Sequence, residues 1–421
     1  MGTTTFVKSS TPRTAPLESA VRRPLKLHID VPLLIIVVCM LTFGLVMLFS
    51  ASWDFAVIND MPATSIFLKQ LRLMSLGIAA GVIATFVDYH RYRRYILLIM
   101  AANITLLVLV LIFGRAGSGP ARGLFSGSVQ PSELAKLVII LYLSIWLYSK
   151  KEHIKSFTMG FLPVIFILGV VGMLILLQPD LSAAATVVII GGLLFFIAGA
   201  DWRQIIIAMA SSTLFGMIGL KLYSTGASRL QDYLAGLKDM TESSYHVMRA
   251  MEAVIHGGWF GVGIGQASTK FTGLPFPYTD SIFAVIVEET GLIGATIVVL
   301  LFGLLLWRGL TIARRSEDQL GALMAAGLTI WIVLEAMLNM AVIIGLFPFA
   351  GNALPLFSAG GSNLVVTLVA IGILMNISRT NSHKEEEKEG SAFSAIVDLR
   401  RWNGRRRVSR ARRTSSSVEQ S

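Results

Sequence analysis

The 421-residue sequence is 54% hydrophobic and only 14% charged, with a net charge of +11 and a mean hydropathy of +0.70. A soluble domain carries about 25% charged residues, so a water-soluble globular fold is excluded. Apolar runs of roughly 18 or more residues recur, each able to cross a ~30 Å hydrocarbon core. The single cysteine, Cys39, leaves no intrachain disulfide to form.

Residues 1–30 mix Thr, Ser, Pro and Arg and read as a disordered tail without a cleavable signal. Ten apolar spans follow, near 31–50, 70–87, 95–113, 132–148, 159–177, 181–199, 204–222, 281–306, 320–347 and 355–377. Connections after even-numbered spans carry Arg91, Arg93 and Arg94, then Lys150, Lys151 and Lys155, then Arg203, then Arg308, Arg314 and Arg315. The positive-inside rule then puts both termini in the cytoplasm and the loop 223–280 outside. The expected fold is an all-α polytopic membrane protein of about ten transmembrane helices, with a large extracytoplasmic loop between helices 7 and 8. The transmembrane domain runs over 31–378. Residues 379–421 form a basic disordered tail in which Arg400, Arg401, Arg405, Arg406, Arg407, Arg410, Arg412 and Arg413 invite anionic lipid headgroups. No nucleic-acid partner is expected, because the tail offers no folded platform to read bases.

Polar groups at the span ends carry the functional signal. "QPSELAK" (130–136) opens the fourth span, with Glu133 and Lys136 on one helical face. That pair reads either as a capped helix with an internal ion pair or as a cation facing an acid on another span. "LLQPDLSAA" (176–184) reads as a tight turn with Asp180 as a helix N-cap. In the loop, residues 245–257 have the spacing of an interfacial amphipathic helix. The glycines of "GVGIG" then suit close backbone approach to a ligand or a neighbouring helix, not a dinucleotide site. Arg229, Lys238, Arg249 and Lys270 make the loop a candidate diphosphate cradle, whereas His246 and His256 are too isolated for a metal site. "LPFPYTDSIFAVIVEETGLIGA" (274–295) sets Asp280 at the mouth of a span and Glu288 and Glu289 inside it, roughly 12–13 Å deeper at ~1.5 Å per residue. "SAGGSN" (358–363) puts small polar residues into the last span, for close helix packing or for irregular backbone lining a cavity.

Together "QPSELAK", "LLQPD", "GVGIGQ", "LPFPYTDSIFAVIVEETGLIG" and "GLFPFAGNALPLFSAGGSN" occur in an order that resembles the SEDS family (shape, elongation, division and sporulation) over roughly residues 30–378. The resemblance implies a peptidoglycan glycosyltransferase that polymerises lipid II on the outer face of the cytoplasmic membrane. Its implied partners are a class B penicillin-binding protein, a single-span transpeptidase, and divisome or elongasome proteins. The family's essential acid maps onto Asp280. Tyr278 stands where the family has His, Ser281 where it has Phe, and Ala359 where it has Tyr. The two tails lean toward a division-type member.

On this reading Asp280, Lys136 and Glu133 are the candidate catalytic residues. Arg122, Gln130, Ser132, Gln178, Asp180, Arg249, Lys270, Ser358 and Ser362 are the candidate substrate contacts, and Glu288 and Glu289 are structural polar residues. A carboxylate within about 2.6–3.2 Å of the attacking sugar hydroxyl can take its proton. The departing diphosphate calls for positive charge or a divalent cation such as Mg or Mn; no organic cofactor is expected. A lipid II flippase is the rival reading, since it would use Glu288, Glu289 and Asn339 along a midplane path. A weakly active scaffold for a transpeptidase is the third.

Overall fold

The computed structural model describes residues 29–58, 60–114, 130–222 and 224–382. The basic tail, nearly all of the N-terminal tail and Arg122 lie outside them. Every regular element among the described residues is helical. The apolar helices are α1 (Val31–Ile58), α2 (Ser65–Phe86), α3 (Tyr92–Phe113), α4 (Pro131–Ser149), α5 (Leu162–Leu176), α6 (Leu181–Ile197) and α7 (Trp202–Leu222). Two shorter helices follow, α8 (Ser224–Gly236) and α9 (Tyr245–Gly257), and then α10 (Ile282–Arg315), α11 (Gln319–Ile343) and α12 (Gly361–Ser382). Nine helices among the described residues are long and apolar enough to cross a membrane, and α6, at 17 residues, is a tenth apolar helix. The expected count of ten therefore appears.

α4, α11 and α12 form the enclosed centre. α2, α3 and α7 ring the outside and present Ile83, Leu97, Ile112 and Met209 outward. Such an apolar exterior matches a hydrocarbon solvent, in which helices associate by close packing and not by the hydrophobic effect. α2 and α12 accordingly meet at Gly81 and Gly372, where a side chain on Gly372 would strike the Gly81 backbone. At the end of the bundle away from α8 and α9, Arg308 of α10 makes a two-pronged pair with Asp30, at 2.8 and 2.9 Å. Asp30 also accepts from the Leu33 amide and the Ser378 hydroxyl, so it caps α1 and ties it to α10 and α12.

One span differs from expectation. α10 runs for 34 residues, about 51 Å at ~1.5 Å per residue, far more than one crossing needs. Gly291, at φ 69° and ψ −168°, breaks it into a nine-residue piece and a span that starts at Leu292. The break is built by the loop. The amides of Leu292 and Ile293 bond to the carbonyls of Gly258 and Trp259, and those of Val262 and Gly263 to Glu288 and Glu289. Gly261 and Gly291 lie backbone to backbone, both at positive φ, with no room for a Cβ on either. Gly257 and Gly261 thus serve close contact with a neighbouring helix, whereas Gly263 and Gly265 do not. Glu288 and Glu289 belong to the short piece before the break, packed against the loop, and not to the interior of a continuous span.

Candidate active site

Spans of an up-and-down bundle alternate in direction, so even-numbered spans begin at one end. There the first turns of α4, α6 and α12 surround a cavity of about 840 Å³ with Asp280 on its wall. Helix N-termini carry partial positive charge and unpaired amides. The three first turns therefore direct partial positive charge toward a cavity whose wall also carries Glu133, Asp180, Asp280 and Glu335 against Lys136 and Arg229.

Asp280 is delivered by a turn, 275–281, whose Phe276 sits at φ 48°. For a bulky residue that conformation is strained and has to be held by its surroundings. Three successive carbonyls supply the hold. Tyr278 O accepts from the Ala359 amide at 2.8 Å, Thr279 O from Ser358 Oγ at 2.7 Å, and Asp280 O from Asn339 Nδ2 at 2.9 Å. All three bonds are to main chain, so the carboxylate is positioned without being consumed by them. Ser358 is thus placed behind the site, where it also accepts from the Leu354 amide, and does not line the cavity.

Below Asp280 lies a buried ionic cluster. Lys136 Nζ is 2.8 Å from Glu133 Oε2 and also pairs with Glu335 of α11. Asn363 Nδ2 donates to Glu133 at 2.8 Å and to Glu335 at 3.3 Å. Lys136 does face an acid on another span, but that acid is Glu335. Its ammonium is enclosed between the two glutamates, on the wall of the cavity that Asp280 also lines. Asp180 caps α6, accepting from the Ala183 amide at 3.2 Å, and also receives Gln130 Nε2 and Ser132 Oγ, both at 3.1 Å. The Gln130 amide in turn donates to Ser362 Oγ at 2.8 Å. Gln130, Ser132, Asp180 and Ser362 therefore lock the starts of α4, α6 and α12 together at the cavity.

Other expected contacts lie elsewhere. Gln178 is buried and donates to Leu107 O of α3 at 3.0 Å. Arg249 is spent on its own helix, 2.5 Å from Glu252. Lys270, expected to cradle diphosphate, is buried, 2.8 Å from Glu289 and 2.9 Å from Asp54. Glu289 also accepts from Ser50 Oγ at 2.6 Å. Glu288 receives the amides of Ser268 and Thr269 at 2.9 and 3.2 Å and the Thr269 hydroxyl. Both glutamates fasten the 257–270 loop to the helix that follows Asp280.

Four residues reach the cavity wall without the sequence having placed them there: Glu335, Asn363, Arg229 and His246. Glu335 is one acid inside a long apolar run, and its acidity in such a run is the sole hint it gives. Arg229 is on α8, and among the described residues on the cavity wall it and Lys136 are the Lys and Arg side chains. His246, on α9, is 2.6 Å from Ser281 Oγ and lies against Phe349 with ring centroids 4.1 Å apart. Burial, with Arg229 adding to it, lowers its pKa to about 4. A divalent cation shared with a diphosphate needs only one or two carboxylates. Among the described residues no cluster of three or more His, Cys, Asp or Glu is disposed to hold one alone, and Glu133 and Glu335 are engaged by Lys136.

A model of the FtsW/RodA/SpoVE family of cell cycle proteins matches residues 31–383. The chain belongs to that family. Stage V sporulation protein E of Bacillus subtilis is 39% identical over 361 residues, covering 83% of this chain and 97% of that protein. A probable peptidoglycan glycosyltransferase FtsW of Trichlorobacter lovleyi is 35% identical, covering 85% and 95%. A chain solved in work on structural coordination of polymerization and crosslinking by a peptidoglycan synthase complex superposes with a TM-score of 0.69 at 25% identity, covering 84% and 99%. The crystal structure of Thermus thermophilus RodA, at 24% identity and TM-score 0.61, covers 85% and 99% and shares the fold. FtsW/RodA/SpoVE membership also accounts for the order in which the five motifs occur along the chain.

Proposed function

We propose that this chain is a peptidoglycan glycosyltransferase that polymerises lipid II for cell division or cell-shape growth, with Asp280 as the general base. One observation carries the reading: Asp280 is fixed by main-chain bonds on the wall of a polar cavity ringed by three helix N-termini. The 4-hydroxyl of one sugar attacks the anomeric carbon of another. Its proton passes to Asp280, a new C–O bond forms, and the bond to the diphosphate breaks, its electron pair leaving on the diphosphate oxygen. Attack from the opposite face turns the α-linkage into β. General-base help of this kind contributes typically 10²–10⁴ in rate. The site faces outward, and both termini lie in the cytoplasm. The working partner is a single-span class B penicillin-binding protein within a divisome or elongasome.

The flippase alternative drew on Glu288, Glu289 and Asn339 as a polar path through the membrane. Each of these is occupied in holding the loop or the Asp280 turn, which favours the polymerase. The deciding assay is glycan formation from labelled lipid II by the purified protein in detergent, with and without its partner. Chains formed where no bilayer separates two faces support polymerisation and leave a pure flippase no role. Absence of product with the partner present overturns the reading.

A further inference from the structure

Between Glu252 and Lys270 the sequence carries no Lys, Arg, Asp or Glu, and the fold turns this stretch inside out relative to a water-facing loop. The charges around it face inward, with Lys270, Glu288 and Glu289 buried beneath it. Its apolar side chains face outward. Trp259 is 70% exposed and Phe260 81%, and Ile255 and Ile264 are exposed beside them. A chain surrounded there by water would seldom present such a patch. α9, whose spacing suggested an interfacial helix, is not the exposed element, because Val247, Ala250 and Ala253 are buried where it packs on α10 and α11.

The patch stands at the head of a lipid-facing stripe. Ile293, Ile297, Leu300, Leu304 and Trp307 are exposed along one face of α10, at i, i+4 and i+7 spacing. The Trp259 carbonyl accepts from the Ile293 amide at 3.3 Å, so the loop begins where the stripe ends. At the other end Arg308 pairs with Asp30, the cap of α1, and marks the inner edge of the apolar zone. From Arg308 to Ile293 the helix rises about 22 Å at ~1.5 Å per residue. A hydrocarbon core is ~30 Å thick, so the segment beyond Ile293 meets the outer boundary between acyl chains and headgroups. Tryptophan gathers at that level. Irregular backbone is tolerated there only when its polar groups are bonded within the protein. The carbonyls of Gly257, Gly258 and Trp259 and the amides of Gly261, Val262 and Gly263 all are.

We infer that residues 255–264 form a foot that seats Ile255, Trp259, Phe260 and Ile264 in the outer leaflet, at the boundary between acyl chains and headgroups. The occupant of this face is a phospholipid surface. Nothing in 253–269 offers a carboxylate, ammonium or guanidinium to a water-facing partner, and the patch continues a helix face that already meets acyl chains. The inner side of the foot is bonded to Glu288 and Glu289, in the piece of α10 that starts just after Asp280. Foot and Asp280 are therefore joined, and the depth of the foot sets the height of Asp280 over the bilayer. This coupling rests on the polymerase reading, in which the substrate's own lipid anchor presents its sugar at a fixed height.

The test uses the full chain in phosphatidylethanolamine–phosphatidylglycerol vesicles, with and without its partner. A spin label on Phe260→Cys, in a Cys39→Ser background, should collide more with molecular oxygen, which dissolves in acyl chains, than with a water-soluble nickel chelate. The same order should hold in both preparations. Greater collision with the chelate overturns the foot, and so does shielding from both reagents once the partner is added, which would make this a protein-docking face. If Phe260→Cys does not fold, tryptophan emission decides. Phospholipid brominated high on its acyl chains should quench wild type more than Trp259→Phe, and equal quenching overturns the foot. For the coupling, Trp259→Ser combined with Phe260→Ser should keep the wild-type rate of glycan synthesis in detergent. In vesicles it should lose about tenfold or more, the scale of a misplaced reacting group. An equal effect in the two media overturns the coupling. Wild-type protein that makes no glycan in either medium sinks the polymerase reading and leaves the spin-label result standing, so the two failures are told apart.

Discussion

His246 Nε2 lies 2.6 Å from Ser281 Oγ, one residue past Asp280. Ser281 Oγ also lies 2.7 Å from the Pro275 carbonyl, and its single proton goes there. His246 is consequently the donor in the first bond, through Nε2–H. The bond links α9 to the start of α10 at a position where the family pattern has Phe. A second ring proton is opposed first by burial and then by Arg229, and the imidazole stays neutral down to about pH 4.

That depressed pKa predicts acid sensitivity. Above pH 6.5 the folded and unfolded imidazoles are both neutral and the linkage is silent. As pH falls from 6.5 toward 4, the unfolded state gains a proton that the folded state refuses, and stability drops by roughly 3 kcal/mol at about 1.4 kcal/mol per unit. His246→Gln should flatten this part of the melting-temperature profile in detergent. Parallel acid-induced losses in variant and wild type would show that other groups are responsible.

Asp280→Asn should fold and bind its partner normally, because the bonds that hold the turn go to carbonyls. Polymerisation per folded molecule should fall by about 10² or more. Near-normal glycan synthesis by a well-folded variant would remove Asp280 from the chemistry.

Lys136→Met should destabilise by about 3–5 kcal/mol, since Glu133 and Glu335 would be left facing each other without a cation. Glu335→Gln should cost much less, because Lys136 and Glu133 remain a neutral pair. Thermal unfolding of both variants separates this account from a direct role in catalysis. A catalytic Lys136 would lose rate at undiminished stability.

Lys270→Met supplies a contrast. A diphosphate-binding lysine would show its loss in KM. A lysine that pairs Glu289 and Asp54 beneath the loop should show it as faster hydrogen exchange and proteolysis across 258–270. A selective KM effect with unchanged exchange would restore the substrate role.

Much of the fold was legible because hydropathy reports which solvent a helix meets, and the ten apolar runs match the ten apolar helices. Asp280 was legible from its motif. Lys136 was recognised, but its partner Glu335 lies 199 residues away, and local spacing carries no information about such a pair. Arg229, Arg249 and Lys270 are equivalent as loop charges in the sequence. Folding sends the first to the cavity, the second along its own helix and the third into a buried cluster. The Gly291 break was hidden too, since one glycine in an apolar run costs a helix only about 1 kcal/mol. What breaks the helix is the loop's own hydrogen bonding.

Membrane orientation has a direct readout. A reporter fused after Gly236 should be extracytoplasmic, and fusions after Lys151 or Arg315 cytoplasmic, as the basic connections dictate. A cytoplasmic Gly236 would put Asp280 in the wrong compartment for lipid II polymerisation and overturn the assignment.

The backbone contact between Gly261 and Gly291 has a consequence for how this protein can vary over generations. Surface loops ordinarily absorb insertions and deletions at little cost. Between residues 257 and 270, one added or deleted residue would shift the register of four amide–carbonyl bonds and pull Glu288 off its amides. The segment is a loop by its lack of periodicity, but in its tolerance to change it will behave like the interior of a β-sheet. Length variation should therefore collect in the 237–243 connection between α8 and α9, where exposed turns leave the chain free to grow.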